Sequence, residues 1–120
     1  MSHLVTIKAR INDPAAIAAA CRRLGLAQPV QGTAKLYSGE ATGLLLQLPG
    51  WEFPAVIDLA SGVVQYDNYS GAWGDQAHLD RFLQAYAVER AKQEARRKGY
   101  AVSEQTLADG SIRVQIVEGA

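Results

Sequence analysis

Phe53-Pro54-Ala55-Val56-Ile57-Asp58-Leu59-Ala60-Ser61-Gly62-Val63-Val64-Gln65-Tyr66-Asp67-Asn68 decides the fold class. Two runs rich in β-branched and aromatic residues, Phe53 to Leu59 and Val63 to Asn68, flank Ala60-Ser61-Gly62, whose small residues suit a hairpin connection. Just upstream, Lys35 to Tyr37 and Thr42 to Leu48 read as two further strands, separated by Ser38-Gly39 and ended by Pro49-Gly50. The middle of the chain is therefore an antiparallel meander. Leu26 to Thr33, with Pro29, Gly32 and no clear period, is expected to be a connecting loop.

Toward the N-terminus, His3 to Ile11 alternates Val5, Ile7, Ala9 and Ile11 with Thr6, Lys8 and Arg10, the period of a half-buried strand. Asn12-Asp13-Pro14 then supplies a capping carboxylate and a proline at the first helical position, where no N–H is needed. Ile17, Ala20, Cys21 and Leu24 recur at helical spacing and Gly25 follows Arg22-Arg23-Leu24, which predicts a helix over Pro14 to Leu24. Toward the C-terminus, Tyr69 to Gly74 is rich in glycine and aromatics, and Asp75 offers an N-cap. Leu79, Phe82, Leu83, Tyr86, Ala87 and Ala91 form the apolar stripe of a long helix that closes on Arg96-Arg97-Lys98 before Gly99. Tyr100 to Leu107 and Ser111 to Val117 flank Asp109-Gly110, a strong two-residue turn signal, and predict a closing hairpin. The order β-α-β-β-β-β-α-β-β gives an α+β fold, a mainly antiparallel sheet with two helices packed on one face, in a single domain over residues 1–120.

The composition, 48% hydrophobic and 20% charged, is that of an ordinary globular domain. Twelve basic residues balance twelve acidic ones, which removes the global attraction on which most nucleic-acid binders depend. Weak self-repulsion also admits a second copy of the chain as a partner. One cysteine, no signal-peptide pattern and no apolar run of membrane-spanning length lead to the expectation of a cytoplasmic protein with no membrane partner.

No residue pattern calls for a cofactor. His3 and His78 are the only histidines, and with Asp75 or Asp80 they fall short of the three or four ligands a zinc site needs, so no metal is expected. Cys21 lies on the apolar stripe of the first helix, where packing explains it better than reactivity. The glycines at 39, 43, 50, 62, 71 and 74 match no phosphate-binding motif and mark turns. Arg81, Arg90, Lys92, Arg96, Arg97 and Lys98 give the long helix a basic side, but Asp80, Glu89 and Glu94 are interspersed, favouring a solvated face over a nucleic-acid footprint. The least ordinary segment is Tyr66 to Asp75. Its aromatics Tyr66, Tyr69 and Trp73 are the candidate interface, because rings on a glycine-containing loop bury large area at low entropic cost; the alternative is that they close the core.

Met1-Ser2-His3 leading into Thr6-Ile7-Lys8, the long helix with Phe82-Leu83-Gln84-Ala85-Tyr86-Ala87, and the closing Glu104-Gln105 with Asp109-Gly110-Ser111-Ile112-Arg113 together resemble the hypothetical chloroplast reading frame 35 family, a domain of unknown function found in plastids, cyanobacteria and other bacteria. The similarity spans nearly the whole chain, with the largest departure from about Val30 to Asn68. The resemblance implies no catalytic residues and, through the genomic neighbourhood of family members, a partner among ATPases of the AAA type. The expectation is a non-enzymatic protein-interaction or adaptor domain. An enzyme assembling its site from His3, Glu40, Asp67 and His78 is the alternative, and a nucleic-acid binder using the basic helix is a third reading.

Overall fold

The computed structural model describes the backbone of residues 4–7 and the chain over 10–118. Its elements run β1 (Leu4–Ile7), α1 (Pro14–Leu24), β2 (Val30–Leu36), β3 (Gly39–Leu46), β4 (Ala55–Asp58), β5 (Val63–Asp67), a short 3-10 turn at Tyr69–Gly71, α2 (Gln76–Arg97), β6 (Ala101–Thr106) and β7 (Ile112–Val117). The fold is α+β, with the strand and helix order that the sequence pattern predicts.

Both helices start where a carboxylate can take an otherwise unbonded amide. Asp13 accepts from the Ala16 N–H at 2.9 Å and Asp75 from the Ala77 N–H at 2.9 Å. Pro14 opens α1, and Gly25 ends it in the left-handed conformation with its N–H on the Arg22 carbonyl. On α2 the buried positions are Leu79, Phe82, Ala85, Tyr86, Val88 and Ala95. Ala87, which the apolar spacing puts on the stripe, is exposed instead, and Val88 takes the inner position.

Strands β1 to β5 form one antiparallel sheet in the spatial order β1-β5-β4-β3-β2. The predicted meander occupies β2 to β5, and β1 joins its far edge beside β5. The two largest differences in strand bounds from the sequence reading lie at β1 and β2. The predicted strand over His3 to Ile11 is shorter, since Arg10 and Ile11 leave the ladder, and His3, Lys8 and Ala9 lie outside the described residues. The Tyr86 hydroxyl organises this exit, donating to the Arg10 carbonyl at 3.2 Å and accepting from the Asn12 and Asp13 N–H groups at 3.2 and 3.1 Å. Conversely, the predicted loop over Leu26 to Thr33 becomes strand from Val30. There β2 is held by its ladder to β3, from Val30↔Leu45 to Leu36↔Gly39, and mostly not by burial.

Alternation sorts the side chains of the sheet onto two faces. Leu44, Leu46, Ala55, Ile57, Val64 and Tyr66 join Ile17, Ala20 and Cys21 of α1 and Leu79, Phe82 and Tyr86 of α2 in the main core. The opposite face buries Ala34, Leu36, Ala41 and Val56, with Leu45 and Phe53 packed beside them. No described helix covers this second face. Strand β4 pairs with β3 only over Leu44 to Leu46, so the β2–β3 hairpin runs on beyond it as a free arm. A Cβ on Gly43 would lie 2.3 Å from the Ile57 carbonyl oxygen, so glycine is what lets the arm pass close over the β4 backbone. The arm's tip reaches the end of β5, where the Ser38 hydroxyl donates to Asp67 Oδ2 at 3.4 Å and the Tyr37 ring packs on Trp73.

Strands β6 and β7 form a separate two-stranded sheet. A lone hairpin is marginal in water. This one is tied to the helices by a ring of four charges in which Arg23 and Lys92 each pair with both Glu89 and Glu104, at 2.5 to 3.4 Å. Arg23 and Lys92 beside it hold the Glu104 carboxyl well below its usual range, at about 2.

Candidate functional site

After β5 the chain makes a tight, strained loop before α2. Tyr69 and Ser70 take φ angles of 48° and 53°, the left-handed region that non-glycine residues rarely adopt. Asn68 holds them there. Its carbonyl accepts from the Gly71 and Trp73 N–H groups at 3.0 and 2.9 Å, and its buried side-chain amide donates to the Gly74 carbonyl at 3.3 Å and Gln76 Oε1 at 3.0 Å. A second clamp comes from Trp51, whose indole N–H donates to the Asp75 carbonyl at 3.0 Å, while the Glu52 N–H donates to the Trp73 carbonyl at 2.8 Å. The Trp51 ring fills the space beside Gly74 so tightly that a Cβ there would lie 2.4 Å from it.

The clamped loop delivers Trp73 into a ring cluster. Its centroid is 4.7 Å from that of Tyr69, 5.0 Å from Tyr37 and 5.6 Å from Phe53. These separations and tilted or edge-on angles are those of favourable aromatic packing. Tyr37 is 66% exposed and Tyr69 45%, with Trp73 half-buried between them. Of the three sequence candidates, Tyr69 and Trp73 thus share this surface. Tyr66 does not: it is 6% exposed, on the helix-side face, edge-on to Trp51 at 5.6 Å. Its register explains this, since Tyr66 has the same parity as the core residue Val64. Sequence reasoning also missed Tyr37 and Phe53, which reach Trp73 from the arm tip and the β3–β4 connection.

Two residues before Tyr69 lies a buried carboxylate. Asp67 is 0% exposed; Oδ2 accepts the Ser38 hydroxyl, and Oδ1 has no hydrogen-bond partner among the described residues. Asp67 has the parity of Gln65, opposite Val56, which places it on the second face of the sheet, under the arm that carries Tyr37.

The dispersed polar residues behave differently. Glu40 is exposed on β3, and His78 sits on α2 near Leu24, Leu26, Pro49 and Arg81. His3 lies outside the described residues. No hydrogen bond or ion pair among the described residues joins Glu40, Asp67 and His78, and no three His, Cys, Asp or Glu side chains among them converge on a metal position. Cys21 is fully buried, and burial pushes its thiol up, away from the reactive thiolate. On the basic side of α2, Arg90 pairs with Asp13 and Glu94, Arg97 with Glu94, and Lys92 with Glu89 and Glu104. No helix among the described residues is long and apolar enough to cross a membrane. Comparison of the chain with protein-family models, with curated proteins and with solved structures finds no match.

Proposed function

We propose that the chain is a non-enzymatic protein-interaction domain, an adaptor, whose contact surface is Trp73 flanked by Tyr37 and Tyr69. The observation that supports this reading is the exposure of two tyrosine rings already packed against a tryptophan whose loop is clamped on both sides. Rings held in place lose little freedom on binding, and each brings a large apolar area to a partner. Tryptophan and tyrosine near the centre of a contact are also the residues that most often carry its energy. An ATPase of the AAA type as the partner belongs to the same proposal and rests on the family resemblance alone.

The test is a capture experiment from the native host with three forms of the protein. The wild type and Arg22→Ala, an exposed change on α1, should retain the same protein at matching stoichiometry. Trp73→Ala should weaken that association by about 2 kcal/mol or more. Thermal melts of all three separate a lost contact from a lost fold. Unchanged capture by a folded Trp73→Ala protein overturns the reading, and a concentration-dependent change in its oligomer size would make the partner a second copy of the chain.

A further inference from the structure

We infer that the chain carries a second site, independent of the aromatic surface: a cleft between the end of α1, the β3–β4 connection and the start of α2 that takes a compact monocarboxylate with an apolar body the size of a phenyl ring. Leu24, Leu26, Pro49, His78 and Arg81 line it and bound a volume of about 210 Å³. A cavity of roughly 150 Å³ holds a benzene ring. The cleft therefore has room for such a ring and a carboxylate, and for little more.

Local chemistry fixes the walls. Gly25, at φ 70°, turns the chain out of α1; its N–H bonds the Arg22 carbonyl at 3.2 Å, and the Leu26 N–H bonds the Cys21 carbonyl at 2.9 Å. This double closure sets Leu24 and Leu26 on either side of the turn, and both pack against the main core. Pro49 lies in a second turn, closed by the Trp51 N–H on the Leu48 carbonyl at 3.2 Å. The Gln47 side-chain amide braces it, donating to the Leu48 and Trp51 carbonyls at 3.2 and 3.0 Å. His78 and Arg81 stand three residues apart on α2 and so share one side of the helix. The apolar wall is thus built before any ligand arrives.

The polar side of the cleft carries donors without partners. Among the described residues the His78 ring and the Arg81 guanidinium have no hydrogen bond or ion pair, whereas Arg90 and Lys92 further along α2 are both paired. No acidic side chain among the described residues lines the cleft. Arg81 also borders a wider groove with Asp80 and Asp109 but pairs with neither; those carboxylates accept from Gln76 and from Ser111. A guanidinium presents parallel N–H groups that match the two oxygens of a carboxylate, and an imidazole adds a further N–H. One cation balances one negative charge, and Leu24, Leu26 and Pro49 meet the uncharged remainder of the ligand. A few convergent polar groups on an apolar lining is the make-up of small-molecule sites.

The experiment is a titration of the 15N-labelled protein with phenylacetate and, separately, with its neutral isostere phenylacetamide and with acetate, which has the charge without the ring. The Leu26 and His78 amide signals are the reporters, and that of Leu36, on the other face of the sheet, is the control. Phenylacetate should shift both reporters saturably at concentrations about tenfold below those that either other compound needs, while Leu36 stays in place. In Arg81→Gln, an exposed change that breaks no ion pair, the preference for phenylacetate over phenylacetamide should fall to near unity. Absence of a saturable shift, an equal response to phenylacetate and either other compound in the wild type, or an undiminished preference in Arg81→Gln overturns the inference. A shift centred on the Trp73 indole signal overturns it too, by placing the acid at the aromatic surface. Partner capture by Trp73→Ala tests that surface separately, so the two readings stand or fall apart.

Discussion

The two faces of the five-stranded sheet are closed in different ways. On one, α1 and α2 lay Ile17, Phe82, Leu79 and Tyr86 over Ile57, Val64 and Leu46, and the Tyr86 hydroxyl there has three partners. On the other, the sheet is covered by the tip of its own β2–β3 hairpin, which leaves tyrosines at the surface and a carboxylate oxygen with no partner among the described residues. A face closed by separate helices can be packed to completion, because each helix adjusts independently. The other face is met instead by the hairpin tip, through the contacts of Ser38 with Asp67 and of Tyr37 with Trp73. That tip is where the candidate site lies.

The comparison can be broken by mutation. Phe82→Ala should cost about 3–5 kcal/mol in denaturant melts, the usual range for a fully buried phenylalanine; a loss below about 1 kcal/mol would mean that the helix-covered face is not the main source of stability. Gly43→Ala should cost about 1–3 kcal/mol, because a methyl group meets the β4 main chain, which cannot rotate away as a side chain would. The arm should be displaced as well, seen as loss of the Tyr37 shift on the Trp73 indole signal. Tyr37→Ser should change stability by less than about 1 kcal/mol, since the ring is 66% exposed. It should still weaken partner capture, and a stability loss comparable to that of Phe82→Ala would make this surface a core.

The smallest effect belongs to the β6–β7 hairpin, which closes neither face. The Glu104 carboxyl is held at about 2 in the folded chain against an ordinary 4.5, so the folded state favours its ionised form. Its contribution is therefore full above 4.5 and is lost as pH falls from there through about 2. With side chains that remain partly wet, each of these pairs should contribute no more than about 1 kcal/mol, and added salt should reduce it. Amide exchange in β6 and β7 should accelerate over this acid window before it does in β4 and β5; simultaneous acceleration would mean that the hairpin is not a separately secured unit.

What could be read from sequence was what neighbouring residues decide. Asp13, Pro14 and Gly25 bracket α1 to the residue, and Asp109-Gly110 places the last turn, because caps and turns are local chemistry. The first half of β2 escaped because Val30-Gln31-Gly32-Thr33 lies at a sheet edge, where ladder bonds hold the chain and no apolar alternation is required. Tyr66 was misplaced although the signal was present, since its parity with Val64 already puts it on the helix side. The site itself was half legible. Tyr69 and Trp73 stand out by composition, whereas Tyr37 and Ser38 arrive from the tip of the β2–β3 arm and Phe53 from the β3–β4 connection, and nothing local announces where those segments will land.

The three bonds of the Tyr86 hydroxyl bear on the order in which the molecule is made. Arg10, Asn12 and Asp13 leave the ribosome more than 70 residues before the ring that gathers their backbone groups. The entry to α1 thus waits, its amides in water, until half of α2 has been synthesised. Domains generally fold as units, and here the first helix cannot take its final seat much before the second arrives. A nascent chain halted after β5 should hold the meander without α2, exposing to chaperones the apolar face that this helix covers in the finished protein.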